Sequence, residues 1–207
     1  KSGLTSNLSA MFVPGGLKVV DMNKDGKLDN NDRTDLGNPY PDFNWGITNT
    51  FKFKGIDFSF LFQGVQGGKL INGDPNYNES RRTIRIYNQN RWISPMYPGD
   101  SKTPYSTNGF NWMLTDYVIE DASYFALREV NLGYTLPASA IKRFNINSLR
   151  VYFSAQNLYF QTAAGYRGIN PEGRFSNGPY SSVLIDGYQR GSFPIPQTIT
   201  AGIDINF

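Results

Sequence analysis

What most constrains this chain is an alternation of apolar and polar residues held over runs of about ten positions, the period of a β-strand with two unlike faces. In FNWGITNTFKF, residues 43–53, Phe43, Trp45, Ile47, Phe51 and Phe53 share one side, interrupted by Asn49. Asn44, Gly46, Thr48, Thr50 and Lys52 share the other. GIDFSFLFQG repeats the pattern, with Ile56, Phe58, Phe60 and Phe62 opposite Asp57, Ser59, Leu61 and Gln63. Lys54-Gly55 between the two runs is a tight-turn signal, so they read as a hairpin. Three more runs carry apolar sets of the same spacing: Val130, Leu132, Tyr134, Leu136; Leu149, Val151, Phe153, Ala155; and Ile199, Ala201, Ile203, Ile205, Phe207.

Two architectures hide the bulky sides from water. A soluble sandwich turns them inward against one another, and a transmembrane barrel turns them outward into lipid. Run length favours the barrel, because a tilted membrane strand needs about 9–11 residues and a soluble one averages about 5–6. Connection lengths agree. Lys54-Gly55 and 137–147 are short, whereas 67–122 and 163–196 are long and irregular, as in outer-membrane barrels. Trp45, Phe53, Tyr124, Tyr134, Tyr159 and Phe160 recur near run ends, as interfacial girdles do. Arg128 falls on the lipid-facing parity, near the outer end of its strand, where a charge costs least.

Five strands cannot close a membrane barrel, since open edges in lipid leave backbone groups unpaired. The expected fold is therefore all-β: the C-terminal antiparallel strands of a larger barrel, with long extracellular loops. The expected segments are an extracellular stretch 1–42, a strand hairpin 43–66, an extracellular loop 67–122, a strand pair 123–161, a second extracellular loop 163–196 and a terminal strand 197–207. The chain has no run of 18 apolar residues, which leaves a barrel open.

Composition removes several function classes. There is no Cys and no His, so thiol nucleophiles, Cys/His zinc sites and His-based triads are excluded. A net charge of +3 gives no sign of a nucleic-acid footprint. Glu120 and Asp121 are adjacent and point to opposite sides of a strand, which is poor for paired-carboxylate hydrolysis. No enzyme is expected.

Before the first strand lies DMNKDGKLDNND, residues 21–32, with Asp21, Asp25, Asp29 and Asp32 crowded together. Unit charges 4 Å apart repel by about 4 kcal/mol at an effective dielectric near 20, so a folded loop calls for a cation among them. An EF-hand-type loop draws oxygens from positions 1, 3, 5, 7, 9 and 12 around a Gly at 6. Those positions are Asp21, Asn23, Asp25, the Lys27 carbonyl, Asp29 and Asp32, with Gly26 at the sixth and Leu28 placed to anchor the loop. Asp at position 12 makes the pattern dockerin-like, and the all-oxygen set favours a structural Ca²⁺. The alternative is a solvated acidic turn.

The stretches GGLKVVDMNKDGKLDNNDR, LGNPYPDFNWGITNTFKFKGIDFSFLFQGVQGG, NRWISP, ASYFALREVNLGYTLP, RVYFSAQNLYF and TAGIDINF resemble the C-terminal part of SusC/RagA-type TonB-dependent outer-membrane transporters of Bacteroidetes. The resemblance spans nearly the whole chain from residue 15. It implies a plugged barrel of about 22 strands whose N-terminal portion would complete this one. It also implies a SusD-like surface lipoprotein as lid, TonB-ExbB-ExbD as energy source, and oligosaccharides or peptides as substrates. Phe207 resembles the C-terminal signal read by barrel-assembly machinery, or is one more lipid-facing side chain.

The long loops hold aromatics that would stack on a substrate or pack the loops and a partner. These are Tyr97, Tyr105, Phe110 and Trp112 in the first, and Tyr166, Phe175, Tyr180 and Tyr188 in the second. Tyr105, Trp112, Tyr166 and Tyr180 are the candidate substrate contacts. Arg81, Arg82, Arg85 and Arg91 form a basic cluster, either a grip on acidic groups or a solvated face. The rival reading of the whole chain is a soluble calcium-stabilised β-sandwich that binds glycans, with its apolar faces packed together.

Overall fold

The computed structural model describes residues 14–73, 90–105, 115–173, 187–189 and 192–207. Eight strands occur among them: β1 Phe43–Phe53, β2 Ile56–Gln66, β3 Lys69–Asn72, β4 Ile119–Asp121, β5 Tyr124–Thr135, β6 Ser148–Thr162, β7 Tyr188–Gln189 and β8 Thr198–Asn206. The chain divides into two compact units. One comprises Lys1–Pro39, Lys69–Glu120 and Gly173–Ser192; the other comprises Tyr40–Gly68, Asp121–Glu172 and Phe193–Phe207.

The second unit is a five-stranded sheet in the order β1-β2-β5-β6-β8, with every neighbouring pair antiparallel. Its strands are 11, 11, 12, 15 and 9 residues long, each sufficient for a tilted crossing. The β1–β2 turn is Lys54-Gly55, with φ of 47° and 85°, the left-handed pair that matches the twist of a hairpin. The β5–β6 link is one helical turn, Ala138–Ile141, continued by the 3₁₀ turn Lys142–Phe144. It stops at Asn145, which takes the left-handed conformation.

Register sorts the side chains into rows. Phe53, Ile56, Tyr134, Val151 and Ile203 lie side by side across all five strands, followed by Phe51, Phe58, Leu132, Phe153 and Ala201. On the opposite face run Thr50, Ser59, Asn131, Ser154 and Thr200. The apolar rows are uncovered: Phe51 is 53%, Phe53 69% and Ile203 62% exposed. Among the described residues these side chains are exposed, whereas the sandwich reading requires them buried.

One expectation about facing fails. Arg128 does not face the apolar side. The register of β5 shifts against β2 between Leu61 and Phe62, and against β6 between Leu127 and Glu129, so a bulge falls on Arg128. A bulge inserts one residue and reverses the alternation beyond it. Phe125 and Leu127 therefore continue the apolar face, pairing with Gly64 and Phe62. Tyr124 and Phe160, expected in the girdle, stack on each other at 5.0 Å on the polar face with Arg128. Trp45, Phe53, Tyr134 and Tyr159 remain on the apolar side.

The first unit contains a three-stranded sheet, β4-β3-β7, with β3 and β7 parallel. Its strands come from stretches expected to be irregular loop. They are two to four residues long, too short to carry a periodicity signal. Leu70, Val118 and Tyr188 are buried here, and Asn72 Nδ2 donates to Glu120 Oε1 at 3.0 Å. Tyr188, expected either to meet substrate or to pack the loops, is buried, which is the packing alternative.

Candidate functional site: the acidic loop and the polar face

The acidic loop is held by a set of side-chain to backbone hydrogen bonds. Asp21 Oδ2 accepts the Gly26 N–H at 2.8 Å, which pulls the two ends of the first turn together. Gly26 has φ of 81° and open space where a Cβ would stand. Asn23 Oδ1 accepts the Asp25 N–H at 3.0 Å, and Asp25 Oδ1 accepts the Lys27 N–H at 2.8 Å. At the far end Asp29 caps the 3₁₀ turn Asn30–Asp32 in a reciprocal box, with Asp32 Oδ2 accepting the Asp29 N–H at 2.8 Å. Asp32 Oδ1 reaches back to accept the Met22 N–H at 2.9 Å, so positions 2 and 12 meet. The Asp29 N–H first, then those of Met22 and Asn23, hold the Asp32 carboxyl below the usual carboxylate range.

Asp21, Asn23, Asp25 and Asp29 each spend one oxygen on the backbone, and Asp32 spends both. Asp21 Oδ1 is buried without a hydrogen-bond partner, an oxygen whose desolvation a cation would offset. The donor set of carboxylates, amide and carbonyl suits Ca²⁺. Among the described residues no three His, Cys, Asp or Glu side chains already converge on one point at metal-holding geometry. Occupancy would therefore require the free carboxylate oxygens to turn inward.

The polar face carries two charge networks that the sequence reading did not single out. In the first, Arg150 on β6 donates to Asp57 on β2 from Nε at 3.2 Å and Nη2 at 2.7 Å, and pairs with Asp204 on β8 at 3.5 Å. The guanidinium spans β5 because Gly133 lies beneath it, where a Cβ would overlap both Arg150 and Asp57. Gly202 similarly seats the Tyr152 ring. In the second network, Arg128 donates to Gln63 at 3.0 Å, to Asn157 at 3.1 Å and to Glu172. Its guanidinium stands over the Tyr124 and Phe160 rings at 5.7 and 5.5 Å.

Asn157 has φ of 53° and also donates to the Pro196 carbonyl at 3.0 Å. Gln197 Nε2 donates to the Leu158 carbonyl at 3.0 Å, and Asn170 to that of Phe193 at 3.2 Å. The bulge thereby ties the exit of β6 to the entry of β8. Asp57, Arg150 and Asp204 all sit on polar parity in the sequence, but their adjacency needs the register.

Of the candidate substrate contacts, Tyr105 is exposed and packs edge-on against Trp92 at 6.1 Å. Tyr166 is half-buried in the turn after β6, its N–H donated to the Ala163 carbonyl. The two belong to different compact units. Trp112 and Tyr180 lie outside the described residues, as do Phe110, Phe175, Arg81, Arg82 and Arg85. Tyr97 is exposed on the 90–105 segment. Phe207 is exposed beyond β8. Glu120 and Asp121 do not form a pair: Glu120 accepts from Asn72, and Asp121 from the Ser123 N–H and hydroxyl.

A single sheet with polar rows on one side and uncovered apolar rows on the other, open at both edges, is the wall of a transmembrane β-barrel. The chain is 32% identical over 212 residues to TonB-dependent receptor P26 of Formosa agariphila, and 29% identical over 211 residues to receptor P3 of the same organism. It is 21% identical over 189 residues to TonB-dependent receptor SusC of Bacteroides thetaiotaomicron. These alignments cover 98%, 98% and 91% of the chain, and 20%, 20% and 17% of the relatives. The fold matches the RagAB peptide importer in its closed-closed state with a TM-score of 0.65 at 22% identity, over 87% of this chain and 19% of that one. The open-open state matches with a TM-score of 0.60. No family model matches the chain.

The chain belongs to the SusC/RagA-type TonB-dependent receptors, as a C-terminal part of their barrel. It spans about a fifth of the length of the relatives it matches. Those relatives are receptors and transporters, not enzymes.

Proposed function

We propose that this chain supplies five wall strands of an outer-membrane barrel that imports oligosaccharides or peptides, driven through TonB and ExbB-ExbD and capped by a SusD-like lipoprotein. The observation that carries it is the two-faced sheet. Its apolar rows match a hydrocarbon environment, and its Ser/Thr/Asn and Asp-Arg-Asp rows match a watery lumen. Relatives named TonB-dependent receptors support the energy source, and a relative named SusC supports the type of transporter. The wall does no chemistry on the cargo. It holds shape while cargo passes and keeps lipid out.

The acidic loop is proposed as a structural Ca²⁺ site held by Asp21, Asn23, Asp25, the Lys27 carbonyl, Asp29 and Asp32. Its support is the orphaned Asp21 oxygen and the closed contact between positions 2 and 12. The ion would neutralise the crowded carboxylates and take no part in transport.

The test is uptake by cells that carry the full-length protein. Fluorescent oligosaccharides and peptides are offered with and without tonB. Import of one class that vanishes without TonB or without the adjacent lipoprotein supports the proposal. TonB-independent uptake of both would overturn it in favour of a passive pore.

A further inference from the structure

The short-turn end of the sheet carries a cluster that the transport reading leaves unused. Lys54 stands over the Phe53 ring at 5.2 Å, and Arg143 over the Phe144 ring at 4.7 Å. Phe53 and Phe144 are 69% and 58% exposed, so neither aromatic packs a core. Two separate connections, the β1–β2 turn and the β5–β6 link, thus present the same device: an exposed ring with a cation over its face. Lys52 and Lys142 add two more exposed cations. The connections are neighbours, because the Thr135 N–H donates to the Gly55 carbonyl at 2.8 Å, two residues before the link begins.

At the β1–β2 turn lies a concavity of about 550 Å³ bordered by Lys52, Phe53, Lys54, Ile56, Asp57 and Arg150. Arg150 is shared by two carboxylates, Asp57 and Asp204, and Lys52 lies directly across from Asp57 on the polar parity, so these four charges balance. The unbalanced cation at its mouth is therefore Lys54. The concavity adjoins the end row of the apolar face, Phe53, Ile56, Tyr134, Val151 and Ile203.

We infer that this rim binds the phosphate headgroup of an anionic phospholipid in the leaflet that meets the short turns, an inference that rests on the membrane reading above. Three features converge on that occupant. Cations at the edge of an apolar wall face the headgroup layer, where an anionic lipid offers opposite charge. The ring of Phe53, in the end row of the apolar face, sits where acyl chains begin. A headgroup placed there keeps its acyl chains on the apolar rows, which a free anion cannot do.

The test uses the full-length transporter in detergent, with retained lipids read by native mass spectrometry. Phosphatidylglycerol and phosphatidylcholine are offered in equal amounts. The expected result is selective retention of phosphatidylglycerol that inorganic phosphate does not displace. In the variant Lys54→Asn/Lys142→Gln/Arg143→Gln the selectivity falls, on the order of fivefold for each cation removed. Asn at 54 keeps a residue that tolerates the left-handed turn. Should that variant lose heat-modifiable migration, Lys142→Gln/Arg143→Gln alone, which leaves the hairpin intact, is expected to show a partial loss. Equal retention by wild type and a folded variant overturns the site, as does full displacement by phosphate. A protein that inserts into phosphatidylcholine bilayers but shows no preference overturns the site while leaving the barrel standing.

Discussion

Arg128 shows what one inserted residue does. It is 15% exposed and its partner Glu172 is 30% exposed, between the regimes of surface and buried pairs. Glu172→Gln is expected to cost about 2 kcal/mol, between the ~0–1 kcal/mol of exposed pairs and the ~3–5 kcal/mol of buried ones. Denaturant midpoints of the full-length protein read this. Arg128→Leu should cost more, because it also strips partners from Gln63 and Asn157. Glycines make a sharper contrast. A Cβ at Gly133 would overlap the Asp57–Arg150 pair, whereas at Gly46 the nearest atom is the Phe62 carbonyl oxygen, 3.7 Å away. Gly133→Ala should therefore displace the Asp57–Arg150 pair and destabilise the protein more than Gly46→Ala does. Equal effects would show that the ion pair spanning β5 contributes nothing.

At the scale of elements, the acidic loop yields a protease experiment. Lys24 and Lys27 lie inside it, so trypsin reports its closure. Calcium is expected to suppress cleavage at both, EDTA to restore it, and Asp21→Ala to abolish the protection. Cleavage indifferent to calcium would leave a plain acidic turn. The segment 90–105 provides a pH prediction. Backbone N–H groups of Thr103 first, then Lys102, hold the Asp100 carboxyl below its ordinary value of 3.8. A carboxyl lowered on folding contributes order that is complete above the ordinary value and is lost as pH falls through the lowered one. Pepsin cleavage near Met96-Tyr97, both exposed, should therefore rise steeply only below that value. In Asp100→Asn it should already be high above it.

At the scale of the molecule, the facing of the rows is the quantity to measure. The segment has no cysteine, so single cysteines can be placed without background from it. In nanodiscs, spin labels at Phe51, Phe153 and Ile203 should collide with oxygen, and labels at Ser59, Ser154 and Thr200 with an aqueous nickel chelate. A uniform aqueous signal would end the barrel reading. Phe153→Arg is expected to cost about 2–4 kcal/mol at mid-membrane depth, and Ser154→Arg, one residue on, far less.

The five long strands, their bounds to within a residue or two, the hairpin turn and the tight turn at Gly26 were legible in the sequence, because each rests on local chemistry. Side-chain period, left-handed turn residues and oxygen spacing act over a few neighbouring positions. Register could not be read that way. The bulge at Arg128 needs the partner strands to exist, since an extra residue is extra only against a neighbour. The same holds for the bridge from Asp57 to Arg150, made by residues 93 apart in sequence. The β4-β3-β7 sheet is built from strands too short for any pattern and appears only once distant segments pair. Alternation along the chain is a property of one strand, and the sequence settles it alone. Which charges meet across a sheet depends on several strands at once, and only the tertiary structure decides it.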